Sequence, residues 1–538
     1  MFSRLLASAA LATLALTGGA GSQGVFEGGL GEIDPWGTGY ISSGEGAFPS
    51  VLWTGSRAED LIELMRRTAM GRVDRILMTP AEHDLLRRAL LSPAEKPQGS
   101  ADGLLEERIR LLRALGEIEA AIDLMRKSGD EELRRDAERL TSDMALARGD
   151  VASACAGAER SAVDDPYYLK LRAVCFAMAG DDSGVELAVE LAANAGVDDE
   201  WLFAAVLSTI VDTPNKPPAR LRDGLSITAS LAAELEAPSD AMEGVEPHYA
   251  LALAQRDGLP AEWRLLAAGI SAEAGLADPD AVRAAFRKLE ADPEYEPGSS
   301  LERAMQLLNE PTASASERAR AFSDALRSAA GRPERFTSVS RVLAPGIERL
   351  PKTAEIAPRA LIFARAALAR GDVNGAGRWA GATEFEGGPT IDAFEHALTE
   401  GLVLLARSRG EPASVKAVTE TLLETARTTQ QKASAARLFV LLSELGATPG
   451  PEARELIGSA GRSSGARSSD DGEVLLLSTL TQSDLSAEMI LRVIKFTNGN
   501  PERLSTRDAA AIVRLLKEAG LENDARAIAL EAMKYWNP

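Results

Sequence analysis

Cys155 and Cys175 are the only cysteines in the chain, and their surroundings make the clearest chemical statement in it. Ala152, Ala154, Ala156, Gly157 and Ala158 surround the first, while Ala173 and Ala177 flank the second. If the segments on either side of a turn at 163–165 are antiparallel helices, the two thiols stand at similar heights. Helix axes usually pack about 8–10 Å apart, and a disulfide needs Cα atoms roughly 4.4–6.8 Å apart. Small side chains let two backbones approach that closely. We expect a structural disulfide whose entropic contribution is on the order of 3 kcal/mol. The alternative is a pair of buried free thiols. A redox-active pair fits poorly, because there is no CxxC and no basic neighbourhood to lower a thiol pKa.

Other candidate chemistry is thin. The three histidines, His83, His248 and His396, are scattered, and only His396 has a carboxylate at i+4 on its C-terminal side, Glu400. There is no HExxH, no S-x-x-K and no phosphate-binding loop. Gly461-Arg462-Ser463-Ser464-Gly465 matches G-x-S-x-G formally. A nucleophile elbow needs a strand before it and a helix after it, whereas this match lies in a Ser/Gly run. A carboxylate pair for glycoside chemistry cannot be singled out from 80 acidic residues. No catalytic, cofactor-binding or metal-binding residue is therefore assigned, and no cofactor is expected.

The elements that would position any site are helical. Apolar residues make up 45% of the chain but aromatics only 5%, a balance that favours closely packed helices over sheets. The formal net charge of −21 repels phosphate backbones, so nucleic acid is not expected as a partner. Residues 1–22 carry Arg4, an apolar run from Leu5 to Leu16, and small residues at Gly18 and Ala20. This is the pattern of a cleavable signal peptide. The run is too short to span a bilayer comfortably, and no integral membrane span is expected after cleavage. Residues 23–55 are rich in glycine with dispersed aromatics and have no helical or alternating period. We expect an irregular arm with Trp36, Tyr40 and Trp53 as candidate partner contacts; the other reading is a flexible stem, free or folded back onto the first helices.

Beyond the arm, helix punctuation recurs. Ser56-Arg57-Ala58-Glu59 and Thr79-Pro80-Ala81-Glu82 have the form of capping boxes. From Glu131 to Gly196 two helical hairpins follow one another, broken at Gly149-Asp150, Asp164-Asp165-Pro166 and Gly180-Asp181. Glycine can end a helix in the left-handed conformation, aspartate can cap the next, and proline suits a first turn.

The segment DPYYLKLRAVCFAMAGDDSGVELAVEL from Asp165 resembles a tetratricopeptide repeat. Ala173 and Phe176 fall where that family places a small residue and an aromatic. The preceding unit matches in its Gly-Asp, in Ala154 five residues after Gly149, and in Pro166 closing the repeat. Gly116 with Ala121, Gly371 with Ala376 and Gly520 with Ala525 keep that spacing, while Val185 and Val415 depart from it. Gly116, Gly149 and Gly180 recur near the roughly 34-residue period of such repeats. The resemblance implies an all-α fold, an α-solenoid of stacked antiparallel hairpins. We expect helical-repeat regions at 56–212 and 219–456, a flexible Ser/Gly linker at 457–473, and a C-terminal helical unit at 474–538.

Together these features favour an exported, periplasmic protein of a Gram-negative bacterium, a non-enzymatic interaction scaffold. Other envelope proteins of motility, secretion or cell-wall machinery are the expected partners. A cell-wall-acting enzyme or a helical accessory module of the lytic transglycosylase type is one alternative, and a periplasmic chaperone is another. Homo-oligomerisation is left open.

Overall fold

The computed structural model describes residues 36–69, 78–99, 102–160, 165–211, 215–238, 240–383, 391–407, 412–460, 471–480 and 486–537. The expected leader, the first part of the arm and most of the 457–473 linker lie outside the described residues. Among the described residues the fold is all-α, and the nearest approach to a sheet is an isolated bridge between Arg57 and Gln98. Neighbouring helices pack as hairpins in succession, as a helical solenoid requires.

The punctuation acts as its residue types dictate. The Glu131–Arg148 helix ends at Gly149, and Asp150 accepts from the Ser153 backbone N–H at 3.2 Å. Asp165 accepts from the Tyr167 N–H, with Pro166 in the first turn of the Pro166–Ala179 helix. That helix closes at Gly180 (φ +67°), a conformation a side chain would resist, and Asp181 caps the Asp182–Asn194 helix through the Gly184 N–H.

The succession returns on itself. The Ala487–Thr497 helix packs on Ala58–Ala69 and Pro80–Leu91, and the Glu522–Ala532 helix packs on Pro80–Leu91. The helices beyond the Ser/Gly segment therefore do not stand apart as a separate unit; their apolar faces complete the core that the first helices begin. Most buried side chains form this one body core, from Trp36 to Trp536. A second, smaller core runs from Leu146 to Leu235 and contains Ala154, Ala173, Val174, Val185 and Leu202. It defines a lobe. The Glu131–Arg148 helix serves both, giving Ala137, Leu140, Met144 and Ala147 to the body and Leu146 to the lobe.

Candidate interaction face

The disulfide is present. Cys155 and Cys175 are bonded with Cα atoms 5.8 Å apart, joining the Val151–Arg160 and Pro166–Ala179 helices inside the lobe. Ala154, Ala158 and Ala173 are buried between them, the close approach their size permits.

The arm residues have a different fate from the one expected of a partner contact. Trp36 and Trp53 are buried in the body core, 2% and 0% exposed, with their rings edge-on at 6.2 Å. They are thus unavailable to a partner. Tyr40 donates its hydroxyl to Asp123 at 2.7 Å. The reason is that the arm and residues 91–95, the end of the Pro80–Leu91 helix and the loop after it, satisfy each other's backbone: Tyr40 N donates to the Leu91 carbonyl, Ala94 N to the Trp36 carbonyl and Glu95 N to the Ser50 carbonyl. Irregular backbone can be buried only when so paired. The Arg108 guanidinium completes the joint. It donates to the carbonyls of Leu90 and Ser92 at 2.9 and 3.0 Å and stands over the Trp36 ring. Those carbonyls close the Pro80–Leu91 helix, whose negative end suits a cation. Burial nevertheless lowers the Arg108 pKa to about 10.

Two buried carboxylate centres, neither anticipated from the sequence, hold the rest together. At the seam where the chain ends meet, Glu82 accepts from Thr79 N at 2.9 Å, from Gly499 N at 2.8 Å and from the Thr497 hydroxyl. Glu531 accepts from Ala81 N at 2.9 Å. Burial, with help from nearby Glu82 and Glu502, pushes the Glu531 carboxyl up to about 8. Both are shut away from solvent, 0% and 2% exposed, so they form a latch, inaccessible to substrate. Between body and lobe, Asp143 accepts from the N–H groups of Gly224 and Leu225 at 2.9 and 3.1 Å and from the hydroxyls of Tyr249 and Tyr167. It thereby caps the Gly224–Ala232 helix from another element. Burial and Asp223 raise its pKa to about 6. Arg256 donates to the Leu146 and Ala147 carbonyls beside it.

The histidines do not converge. Burial lowers His248 to about 3 and His83 to about 4, leaving both neutral, while His396 lies near the Thr383 hydroxyl and the Ala380 carbonyl. Among the described residues no group of three His, Cys, Asp or Glu side chains stands close enough to hold a metal ion.

Among its exposed carboxylates the lobe also presents apolar side chains outward. Leu187 and Leu191 are 56% and 49% exposed, and Met178 is 42% exposed. Positions 184, 187 and 191 are spaced i, i+3, i+7, which places them in one line along the Asp182–Asn194 helix. The Phe176 ring covers the head of that line, since a Cβ on Gly184 would lie 2.4 Å from Phe176 Cδ1. The result is an apolar flank of about 10 Å, from Phe176 over Gly184 to Leu187 and Leu191. Beside it, a shallow depression is lined by Asp198, Asp199, Glu200, Trp201 and Arg220. Three of these are engaged: Arg220 stacks on Trp201, whose indole N–H donates to the Pro218 carbonyl at 2.9 Å, and Asp199 pairs with Lys170.

No family model matches the chain, and no curated protein and no solved structure is significantly similar to it.

Proposed function

We propose that this protein is a non-enzymatic interaction scaffold, exported to the periplasm and built on degenerate tetratricopeptide-like hairpins, serving an envelope-associated assembly. The observation that carries the reading is the apolar flank of the lobe. Leucines at helical spacing, half exposed on a rigid hairpin, are side chains that a chain folding for itself alone has no reason to leave in water. The disulfide supports export, because such bonds persist in oxidising compartments, and the leader-like pattern of residues 1–22 points the same way. No helix among the described residues is long and apolar enough to cross a membrane.

The test is a photocrosslinking amino acid placed at Leu187, with Glu348 on the body as the control position. In intact cells, Leu187 yields one or two adducts with defined envelope proteins and Glu348 yields none. A chain that gives no adduct from Leu187, yet cleaves muropeptides when purified, is an enzyme and the scaffold reading is wrong.

A further inference from the structure

We propose that the Phe176–Leu187–Leu191 flank receives a basic amphipathic helix of a partner protein. This rests on the reading of the lobe as an interaction face and adds the chemistry of what docks there. The apolar requirement comes from the flank itself. Leu187 and Leu191 project side by side, one turn apart, and Phe176 closes one end of the row. A helix presenting apolar residues at i, i+3, i+4 and i+7 matches such a row.

The requirement for positive charge comes from what borders the row. Between Arg172 and Lys216 every charged residue of the chain is acidic. On the docking helix, Asp182, Glu186 and Glu190 are exposed. At 100° per residue, Glu186 and Glu190 lie one turn apart on the outward face, immediately beside the leucines. A helix laid on the leucines brings its own flanking side chains over these carboxylates. Lysine or arginine there gains complementary contacts and is steered inward by the field of a chain of net charge −21. The same charge repels the other occupants of an apolar face. An anionic lipid surface meets like charge, and a second copy of this chain would bring acidic helix against acidic helix.

The experiment uses the purified mature protein and three fluorescein-labelled 18-residue peptides, read by anisotropy at physiological salt. One has leucines at i, i+3, i+4 and i+7 with lysines on its other face. The second replaces those lysines with glutamates, and the third scrambles the first. The expected result is saturable binding of the first peptide, tighter than the scrambled one by about tenfold or more. The double variant Leu187→Ser/Leu191→Ser loses about tenfold in affinity. Glu186→Gln/Glu190→Gln weakens binding and flattens its salt dependence. Equal binding of the acidic or scrambled peptide, with an adduct still formed from position 187 in cells, overturns the partner chemistry and leaves the scaffold reading intact. No adduct from position 187 overturns both. Adsorption to phosphatidylglycerol vesicles, or a dimer, that the leucine variant abolishes replaces the partner with lipid or a second copy and overturns the proposal.

Discussion

The body and the lobe are made of the same hairpins, yet they are stabilised by different means. The body draws its core from both ends of the chain and fills it mostly with alanine and leucine, with bulky isoleucine, phenylalanine and tryptophan among them. It locks that core with buried polar groups that reach across hundreds of residues, as Glu82 does to Thr497 and Gly499. The lobe has a short list of core residues, mostly alanine, valine and leucine. A small core contributes little on its own, and here a disulfide tying the Val151–Arg160 helix to the Pro166–Ala179 helix of the next hairpin makes up part of the difference. The contrast teaches where this molecule can afford an unsatisfied surface. The body folds Trp36 and Trp53 of its arm inward and leaves apolar side chains in water singly, as at Val51 and Leu266; the lobe leaves two leucines in one row facing water.

The largest expected effect belongs to the body. Trp53→Ala removes a fully buried indole packed on Trp36 and is expected to cost about 3–5 kcal/mol. In a denaturant titration followed by limited proteolysis, cleavage within the body should advance to lower denaturant while the 146–235 region keeps its midpoint. Loss of both regions together would mean a single cooperative unit, and the distinction between two interiors would fail.

The converse experiment is Cys155→Ser/Cys175→Ser. The bridged loop spans 20 residues, so its loss is expected to destabilise the lobe by about 3 kcal/mol. Protection from hydrogen exchange should fall across 151–207 and stay unchanged in the Pro333–Arg349 helix of the body. A uniform loss of protection would contradict the separation.

How much of this was legible beforehand follows the range of the forces involved. The hairpins from Glu131 to Gly196 were readable because caps act within a few residues, and Asp165, Gly180 and Asp181 each do their work within one turn. The disulfide was readable because both cysteines flank one turn. The arm was harder. Trp36 and Trp53 announce a need for burial without naming the surface that meets it, and that surface is the 92–98 loop together with the first helices. Least legible were Asp143, Glu82 and Glu531, each of which has partners between 81 and 450 positions away. A hint existed for Glu531: it sits three residues after Ile528 on the same face and between Leu530 and Ala532, all of them buried. The closing of the chain on itself carries no local signature, because it depends on faces at opposite ends fitting each other.

The two carboxylate centres sharpen the comparison by pH. Each has its folded pKa raised by burial, so folding takes up a proton. The associated stability is present in full below the ordinary carboxyl value and is lost as pH rises through the folded one. For Asp143, between body and lobe, that window runs from 3.8 to about 6. For Glu531, in the seam, it runs from 4.5 to about 8. Between pH 6.5 and 9, therefore, the body seam weakens while the Asp143 junction has already reached its plateau. Glu531→Gln cannot ionise and should make the seam more stable than wild type at pH 9 by about 1–2 kcal/mol, with little difference at pH 5. Thermal unfolding of both proteins at the two pH values checks this. A wild-type unfolding temperature that does not fall above pH 7 would show the seam carboxylate to be ionised and accommodated.

The smallest expected effect is the most telling for function. Leu187→Ser/Leu191→Ser changes two side chains that are about half exposed and packed on one side only. Surface substitutions of this kind usually move stability by less than about 0.5 kcal/mol, against the several expected for Trp53 in the body. The unfolding midpoint of the lobe should stay where it is, and solubility should improve, since an apolar flank is removed from the surface. Should the double variant instead destabilise the lobe by about 2 kcal/mol or more, the leucines would be core residues of this chain in solution, covered by one of its own segments. The lobe would then be as self-sufficient as the body. If stability is unchanged, the two leucines contribute nothing measurable to folding, and what holds them in place must be a demand that arises only when something else is bound.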